Sequence, residues 1–463
     1  MIIQAIDNLV SGRNIVLAGY GREGKALLDW LILHYPNQIF SVADRQELPD
    51  ASFPQRHHWI GGTDSMSKLS TFDLIIKTPG IPSAQLAYLP SEKITSQTEL
   101  FLRAYGPQTL GITGTKGKST TTSLVYHILK TYTDKVVLTG NIGIPPFTVV
   151  DQLDPATAVV MELSAHQLEL VKHCPHISVL LNLFEEHLDH FSDYNAYQEA
   201  KYNIARYHRP GDYLIYPSFD ETVGELLKRN SVTGVLLPFG LTRPEGEGIW
   251  LEGDNVYLKL PLSDPEVICK GVSRSPLSGS HNRLNIMAAA AVAALYGVGE
   301  TIISCAVSTF SGLPHRLEFV GIYGEVKFYD DSISTIPEAV IAAVKSLGRV
   351  DVLLLGGFDR GISYDKLASF IPGSGVKLIL LTGPAGERIQ RVLIEAGVKP
   401  SQMQFHVRFD DMVKMAVKST VAGDVVLMSP GASSYDQFKN FEERGKRYKE
   451  IIKEMADLNL TVN

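Results

Sequence analysis

Residues Gly111–Thr120 read GITGTKGKST. The apolar run Thr109–Thr113 (TLGIT) before the turn has strand character, and Lys118 to about Thr131 after it has helical character. A glycine-rich turn between a strand and a helix, closed by Gly-Lys-Ser, is the signature of a phosphate loop. Glycines let backbone N–H groups turn inward around phosphates, and the helix N-terminus adds partial positive charge. Lys118 would neutralise β/γ-phosphate charge, and the Ser119 hydroxyl would bind Mg²⁺. Gly114, Thr115, Lys116, Gly117, Lys118, Ser119 and Thr120 are therefore the candidate nucleotide-binding residues. The spacing departs from G-x-x-x-x-G-K-[ST], because Ile112 stands at the first glycine position, flanked by Gly111 and Gly114.

Working outward, the pattern is α/β throughout. Upstream, Asn14–Ala18, Ile39–Ala43 and Leu74–Ile76 read as strands, with a helix over Lys25–Leu33. Strands alternating with helices predict a parallel, Rossmann-like layer over 1–107. Downstream, Val136–Thr139, Ala158–Glu162 and Ile177–Asn182 read as buried strands of the phosphate-loop sheet. Residues 209–275 are rich in turns and short strands and predict an antiparallel appendage; Asn285–Tyr296 is alanine-rich and helical. The apolar runs Val350–Leu355, Val376–Leu381 and Asp424–Met428 predict a further α/β unit. The expected organisation is three domains in series: Rossmann-like 1–107, a central P-loop ATPase domain 108–311, and Rossmann-like 312–463. Clefts at the carboxyl ends of such strands are where ligands are expected.

The chain has 463 residues, 44% apolar and 20% charged, with a net charge of -7. That is ordinary for a globular protein, and no global basic field points to nucleic acid. The N-terminal MIIQAIDNLVSGRN has no charged segment leading into a long apolar run, and no stretch has the length of a membrane span. A cytoplasmic protein without membrane contact is expected. Cys174, Cys269 and Cys305 form no C-x-x-C pair and are expected to be buried small hydrophobes.

The G-x-x-G-T-x-G-K-[ST] form of the loop resembles that of Mur ligases and folylpolyglutamate synthases, and further segments resemble the Mur ligase family. Val160–Leu170 (VMELSAHQLEL) is similar to the ELSSFQLE signature of its glutamate-adding members. The resemblance implies that Glu162, at a strand end, holds Mg²⁺, and that Ser164 and Gln167 meet substrate. Asn182–His190 (NLFEEHLDH) resembles N-[IL]-x-x-[DE]-H-[LM]-D, which makes His187 a ligand of a second Mg²⁺, with Glu185, Glu186 and His190 on the surface. Tyr197–Lys201 (YQEAK) matches Y-x-x-A-K, whose lysine is carbamylated in the family, so Lys201 would become a metal-binding carbamate. Gly279–Asn285 (GSHNRLN) offers Asn282 and Asn285 to the adenine edge.

Phe310–Val320 (FSGLPHRLEFV) resembles F-x-G-L-x-H-R, which sends Arg316 to phosphate or nucleotide. Phe328–Ala339 (FYDDSISTIPEA) resembles N-D-S-K-[AS]-T-N, giving Asp331 a ribose role and Thr335 a substrate role. Leu427–Gly445 (LMSPGASSYDQFKNFEERG) resembles LSPACASxDQFxxFxxRG, which aligns Ser434 and Phe441 with contacts to the incoming glutamate. Two positions depart from the pattern. Ile333 replaces the motif lysine, and Arg360 in GGFDRG replaces another; both bear on amino-acid recognition, and Arg360 retains a planar carboxylate-pairing fork. A branch that adds L-glutamate carries similar DDS and DRG segments.

Gly19–Gly24 (GYGREG) after a strand, with Asp44 after the next, satisfies a dinucleotide fingerprint, so an NAD-binding oxidoreductase is the alternative from another class. In Mur ligases this domain holds UDP instead. Arg22 and Glu23 would then meet the pyrophosphate, and Asp44 and Arg45 the uracil or ribose. Gly80 in KTPGIP and Asn141 in GNIGIP match further substrate contacts. A folylpolyglutamate synthase is not expected to carry this preceding domain. The resemblance implies a monomer that joins glutamate, D in the main reading, to UDP-N-acetylmuramoyl-L-alanine during peptidoglycan precursor synthesis. It also implies ATP, two Mg²⁺ ions and an acyl-phosphate intermediate, with Lys118, Glu162, His187, Lys201 and Arg316 as the catalytic set.

Overall fold

The computed structural model describes residues 2–49, 53–187, 190–277 and 279–460. They form two compact units, Met1–Phe310 and Ser311–Asn463. The first unit holds two sheets. One is all-parallel, in the order 58–60, 41–43, 15–18, 74–77, 94–96. Ile15–Ala18 and Leu74–Lys77 are buried at every position, as central parallel strands covered on both faces must be. The helices Arg22–His34 and Gln97–Tyr105 flank it, with a third, Ile2–Val10, that strand-centred reading did not anticipate. Ile6 and Val10, one turn apart on that helix, are both buried.

The other sheet runs 266–270, 255–259, 248–252, 235–240, 213–217, 177–180, 109–113, 158–162, 136–140. The antiparallel appendage expected over 209–275 is smaller than the sequence implied. Tyr213–Pro217 and Val235–Gly240 extend the parallel sheet, with the helix Glu221–Arg229 as a crossover. Only the hairpin pairings among 248–252, 255–259 and 266–270 are antiparallel. The alanine-rich helix starts at Ser280, five residues before the expected Asn285, and Asn285–Ala293 are all buried. Alanines let it lie close against the helix Lys118–Tyr132 that follows the phosphate loop.

The two sheets of this unit share one continuous apolar core. Trp30 of the first packs edge-on to Phe147 of the second at 5.2 Å, and its indole N–H donates to Asp151. The three cysteines do not share one environment as expected. Cys269 is buried, Cys174 is half-buried and Cys305 is exposed on the outer face of Glu300–Thr309.

The second unit holds a sheet in the order 318–323, 326–330, 425–428, 352–356, 378–382, 403–406. Its first pair is an antiparallel hairpin and the rest is parallel. Apolar clusters cover both faces. No helix among the described residues is long and apolar enough to cross a membrane.

Gly140 ends the strand Val136–Gly140 with φ +103°, and a Cβ there would lie 2.2 Å from the Glu162 carbonyl oxygen. Gly140→Ala is expected to cost on the order of 2 kcal/mol. In thermal unfolding this would appear as a fall of roughly 5 °C in apparent Tm. An unchanged Tm would mean that the turn relaxes freely.

Candidate active site

The phosphate loop is built as its glycines require. Gly114 has φ +149° and Gly117 φ +85°, conformations that side chains resist. Lys118 opens the helix, and its Nζ donates to the carbonyls of Gly114 and Thr115, both at 2.9 Å. A second lysine arrives at the same point. Lys201, from the helix Tyr194–Arg206, donates from Nζ to the Gly114 carbonyl at 2.7 Å. Lys201 is 1% exposed, and burial, reinforced by the nearby Lys118 charge, holds its amine well below the usual lysine range.

Asn182 staples the loop from the other side. Its Oδ1 accepts from Thr115 N at 3.1 Å and Lys116 N at 2.8 Å, and its Nδ2 donates to Lys116 O at 3.0 Å. The Thr115 hydroxyl meets the Tyr197 phenol at 2.9 Å, and Lys116 forms an ion pair with Glu186. Ser119 and Thr120 follow half-buried in the first helical turn.

Glu162 ends the neighbouring strand. Its Oε1 accepts from Asn141 Nδ2 at 2.6 Å, while Oε2 is buried and has no hydrogen-bond partner. A buried carboxylate oxygen without a partner, beside a phosphate loop, is what a divalent cation would complete. Asn141 also lines a cleft of about 370 Å³ with Pro79, Gly80, Lys118, Ser164, Ala165, His166, His187 and Lys201. The structure thus brings six expected residues, Gly80, Lys118, Asn141, Ser164, His187 and Lys201, to one cavity.

His187 has φ +59° and a half-exposed ring. Leu188 and Asp189 of its segment lie outside the described residues. Glu185 is exposed and Glu186 half-buried. His190, expected on the surface, instead has a side chain only 8% exposed. Its Nε2 faces Glu169 at 3.5 Å, and Glu169 is paired with the fully buried Lys77 at 2.7 Å. The His190 amide donates to His187 O at 3.0 Å. His166 packs against His187 and His190, and its pKa is pushed down to about 4, mainly by burial.

The N-terminal wall is tied to this region. Ser164 and Gln167 form a reciprocal capping box on the short helix Ala165–Leu168. Gln167 Nε2 also donates to Glu23 at 2.8 Å, so these two expected substrate contacts hold each other. Burial raises Glu23 to a pKa of about 7. Arg22 is exposed and donates to Gly143 O at 3.3 Å. Asp44 accepts from Tyr20 N at 2.8 Å and Gln46 N at 3.1 Å, closing the glycine-rich turn, and Arg45 beside it is exposed. Asn285 is buried, donates to Asn282 at 3.0 Å and packs beneath Gly117.

The second unit gathers the remaining candidates. Arg316 is exposed between two left-handed residues, His315 at φ +61° and Leu317 at φ +47°. Their amides donate to Glu318 at 2.8 Å and Asp331 at 3.0 Å, and His315 Nδ1 lies 2.6 Å from Asp330. His315, Glu318 and Asp330 are close enough to share an ion, but the Lys449 ammonium already sits there, 2.9 Å from both Glu318 oxygens. Asp331 is buried, accepts from Ser429 at 2.6 Å, and is raised by burial to a pKa of about 6. Arg360 donates to Thr335 O at 2.8 Å. Ser434 is buried, and Ser332 Oγ donates to Phe441 O.

Sequence reading passed over Asn182, Lys77 and Arg444. Arg444 is 2% exposed and joins the two motif loops by donating to Ser332 O and Ala432 O. The Arg-Gly pair of FEERG was its only signal. The signal for Lys77 is its place at the end of the buried strand Leu74–Lys77, where a lysine requires a partner.

The chain is similar to known proteins over most of its length. The family model described as Mur ligase middle domain matches residues 112–293, and that described as Mur ligase, glutamate ligase domain matches 315–431. The chain is 31% identical to the UDP-N-acetylmuramoylalanine--D-glutamate ligase of Thermoanaerobacter pseudethanolicus, over 96% of this chain and 99% of that one. It is 32% identical to the enzyme of the same name from Listeria monocytogenes, over 96% and 97%. Among solved structures, the UDP-N-acetylmuramate-alanine ligase of Thermotoga maritima superposes with TM-score 0.55 at 17% identity, covering 96% of this chain and 100% of that one. A MurF ligase of Thermotoga maritima in complex with ADP superposes with TM-score 0.53 at 17% identity, covering 96% and 95%. These structures share the α/β fold, and the relatives matched at 31–32% identity over 96% of the chain show more than a fold: the chain belongs to the Mur ligase family.

Proposed function

We propose that the chain is a cytoplasmic, ATP-dependent ligase that joins D-glutamate to UDP-N-acetylmuramoyl-L-alanine for peptidoglycan precursor synthesis. In this reading 1–107 hold the UDP substrate, 108–311 hold ATP, and 312–463 hold the amino acid. The observation that carries it is the convergence of Lys118 and Lys201 on the Gly114 carbonyl, next to the unpartnered oxygen of Glu162.

The chain's own groups would act as follows. The phosphate-loop amides and Lys118 hold the β/γ-phosphates, and Lys118 meets the charge that develops as the substrate carboxylate attacks the γ-phosphorus. Arg316 would meet phosphate or nucleotide through its planar fork. Attack gives an acyl phosphate; the glutamate amine then attacks its carbonyl carbon, and phosphate leaves. Arg360 and Ser434 orient the glutamate. Exclusion of water protects the acyl phosphate from hydrolysis. Glu162, Ser119, His187 and a carbamylated Lys201 would hold Mg²⁺ ions, which supply electrostatic stabilisation to the transferring phosphoryl group. The depressed Lys201 amine fits carbamylation, because only the neutral amine attacks CO₂.

A second reading, ligation of L-glutamate, is supported by the DDS segment at 330–332 and the DRG segment at 359–361, which resemble those of the branch that adds L-glutamate. The dinucleotide reading has less support, since Asp44 is engaged by the Tyr20 and Gln46 amides.

With ATP, Mg²⁺, bicarbonate and UDP-N-acetylmuramoyl-L-alanine, phosphate release is expected to depend on D-glutamate. Release only with L-glutamate would select the second reading, and none with either would overturn both. Protein equilibrated with ¹³C-bicarbonate is expected to show a carbamate carbon resonance that Lys201→Ala lacks; its absence from wild type would leave Lys201 as a plain amine. Asn182→Ala is expected to raise the KM for ATP by roughly tenfold, the loss of about 1.4 kcal/mol of loop order, with the KM for the UDP substrate nearly unmoved. Equal rises in both would assign Asn182 a general folding role instead.

A further inference from the structure

One side chain in the cleft wall has no role in that mechanism. His166 lies on the short helix Ala165–Leu168, and it lines the same cavity as Lys118, His187 and Lys201. ELSAHQLEL carries this histidine where the ELSSFQLE signature has phenylalanine. Phenylalanine there supplies only apolar bulk, whereas histidine keeps a flat ring of similar reach and adds a nitrogen donor. The ring is closely held. Its centre lies 4.8 Å from that of His187 in an edge-on arrangement, 4.1 Å from that of His190, and 5.5 Å from that of Phe191. Behind it stands a polar column, with His190 facing Glu169 and Glu169 paired to Lys77.

We propose that His166 is a second imidazole ligand, beside His187, of a divalent-cation position in this cleft, raising its affinity for nitrogen-accepting ions such as Mn²⁺ over Mg²⁺. The inference rests on the reading of the cleft as cation-binding. Two imidazole nitrogens on one ion, at bonds of about 2.1 Å, lie no more than about 4.2 Å apart. Ring centres 4.8 Å apart put the two imidazoles within reach of that separation. Mg²⁺ favours oxygen ligands and keeps its waters, so an added imidazole does little for it. First-row transition ions gain from nitrogen ligands, with Mn²⁺ at the modest end of the series. His190, whose ring centre is 4.1 Å away, and Phe191 at 5.5 Å confine the His166 ring from the side.

Mn²⁺ alone is the probe, titrated into the purified full chain in Mg²⁺-free buffer and read by electron paramagnetic resonance. Pulsed spectra of the bound ion are expected to show nitrogen couplings from two imidazoles. His166→Phe should remove one set and weaken Mn²⁺ binding by about tenfold or more. Its Mg²⁺ affinity, measured by competition, should change by less than about twofold. The substitution keeps a flat ring against Phe191, and thermal unfolding checks that the variant is folded. Unchanged Mn²⁺ affinity and unchanged couplings in His166→Phe would overturn the proposal. Glu162→Gln separates the two levels. If it weakens Mn²⁺ binding while His166→Phe does not, only the His166 assignment falls. If neither it, His187→Ala nor His166→Phe affects binding, the ion lies elsewhere, and both the assignment and the cation reading of the cleft fall.

Discussion

Two ammonium groups meet at a single backbone carbonyl. Lys118 comes from the residue that opens the helix after the phosphate loop, and Lys201 from a helix more than 80 residues later; both donate to Gly114 O. Two cations at one acceptor repel each other, and the repulsion is stronger where water is excluded. Lys118 is half-buried and keeps access to the cleft, whereas Lys201 is enclosed, so it is Lys201 whose charge is disfavoured. Burial, with the Lys118 charge second, thus sets the Lys201 amine apart from Lys118, although both lysines line the same cleft. The contact also fixes Gly114 against the strand ends, where Glu162 and Asn182 take up their positions on either side.

The cleft depends as well on two sheets behaving as one body. Trp30, Phe101 and Phe147 merge their cores, and two polar contacts set the register at the cleft. Gln167 holds Glu23, and Lys77 holds Glu169. A buried ion pair gains little net stability once desolvation is counted. Its geometry is nevertheless demanding, because a buried lysine with its partner displaced is strongly disfavoured. Lys77 therefore acts more as an alignment pin than as a source of stability, keeping Pro79 and Gly80 opposite Ser164 and His166 across the cavity.

The parts of the fold legible in the sequence were those governed by local chemistry. Thr109–Thr113 and Ala158–Glu162 are strands over the residues expected, because an uninterrupted apolar run with flanking turns has few alternatives. The helix after the loop starts at Lys118 because Gly117 supplies the left-handed entry. The reading was poorer where partners are distant. Ile2–Val10 becomes a helix by packing Ile6 and Val10 into a core assembled from later residues. Tyr213–Pro217 and Val235–Gly240 look like edge hairpins until the helix between them carries the chain back in parallel. At the site, motif residues were legible as types, and six of them line one cavity. Their mutual contacts were not. Nothing in the sequence indicates that Gln167 would bond Glu23, that Asn285 would pack under Gly117, or that His190 would turn inward.

In the second unit, backbone strain accounts for both the display of Arg316 and the tolerance of Ile333. Left-handed His315 and Leu317 each carry a cost of roughly 1–3 kcal/mol, offset because Glu318 and Asp331 accept their amides and Asp330 holds the imidazole. The three carboxylates form a frame that points Arg316 outward. Ile333 belongs to that frame through its backbone, since its N–H donates to His315 O. Exchanging its side chain leaves the frame intact and removes only a charge from the loop. Arg360 stands where the pattern has its second lysine, and its guanidinium donates to Thr335 O, two residues from Ile333. The loop thus keeps its shape through the main chain with one cation where the pattern has two, and that cation is a planar fork in place of a mobile ammonium.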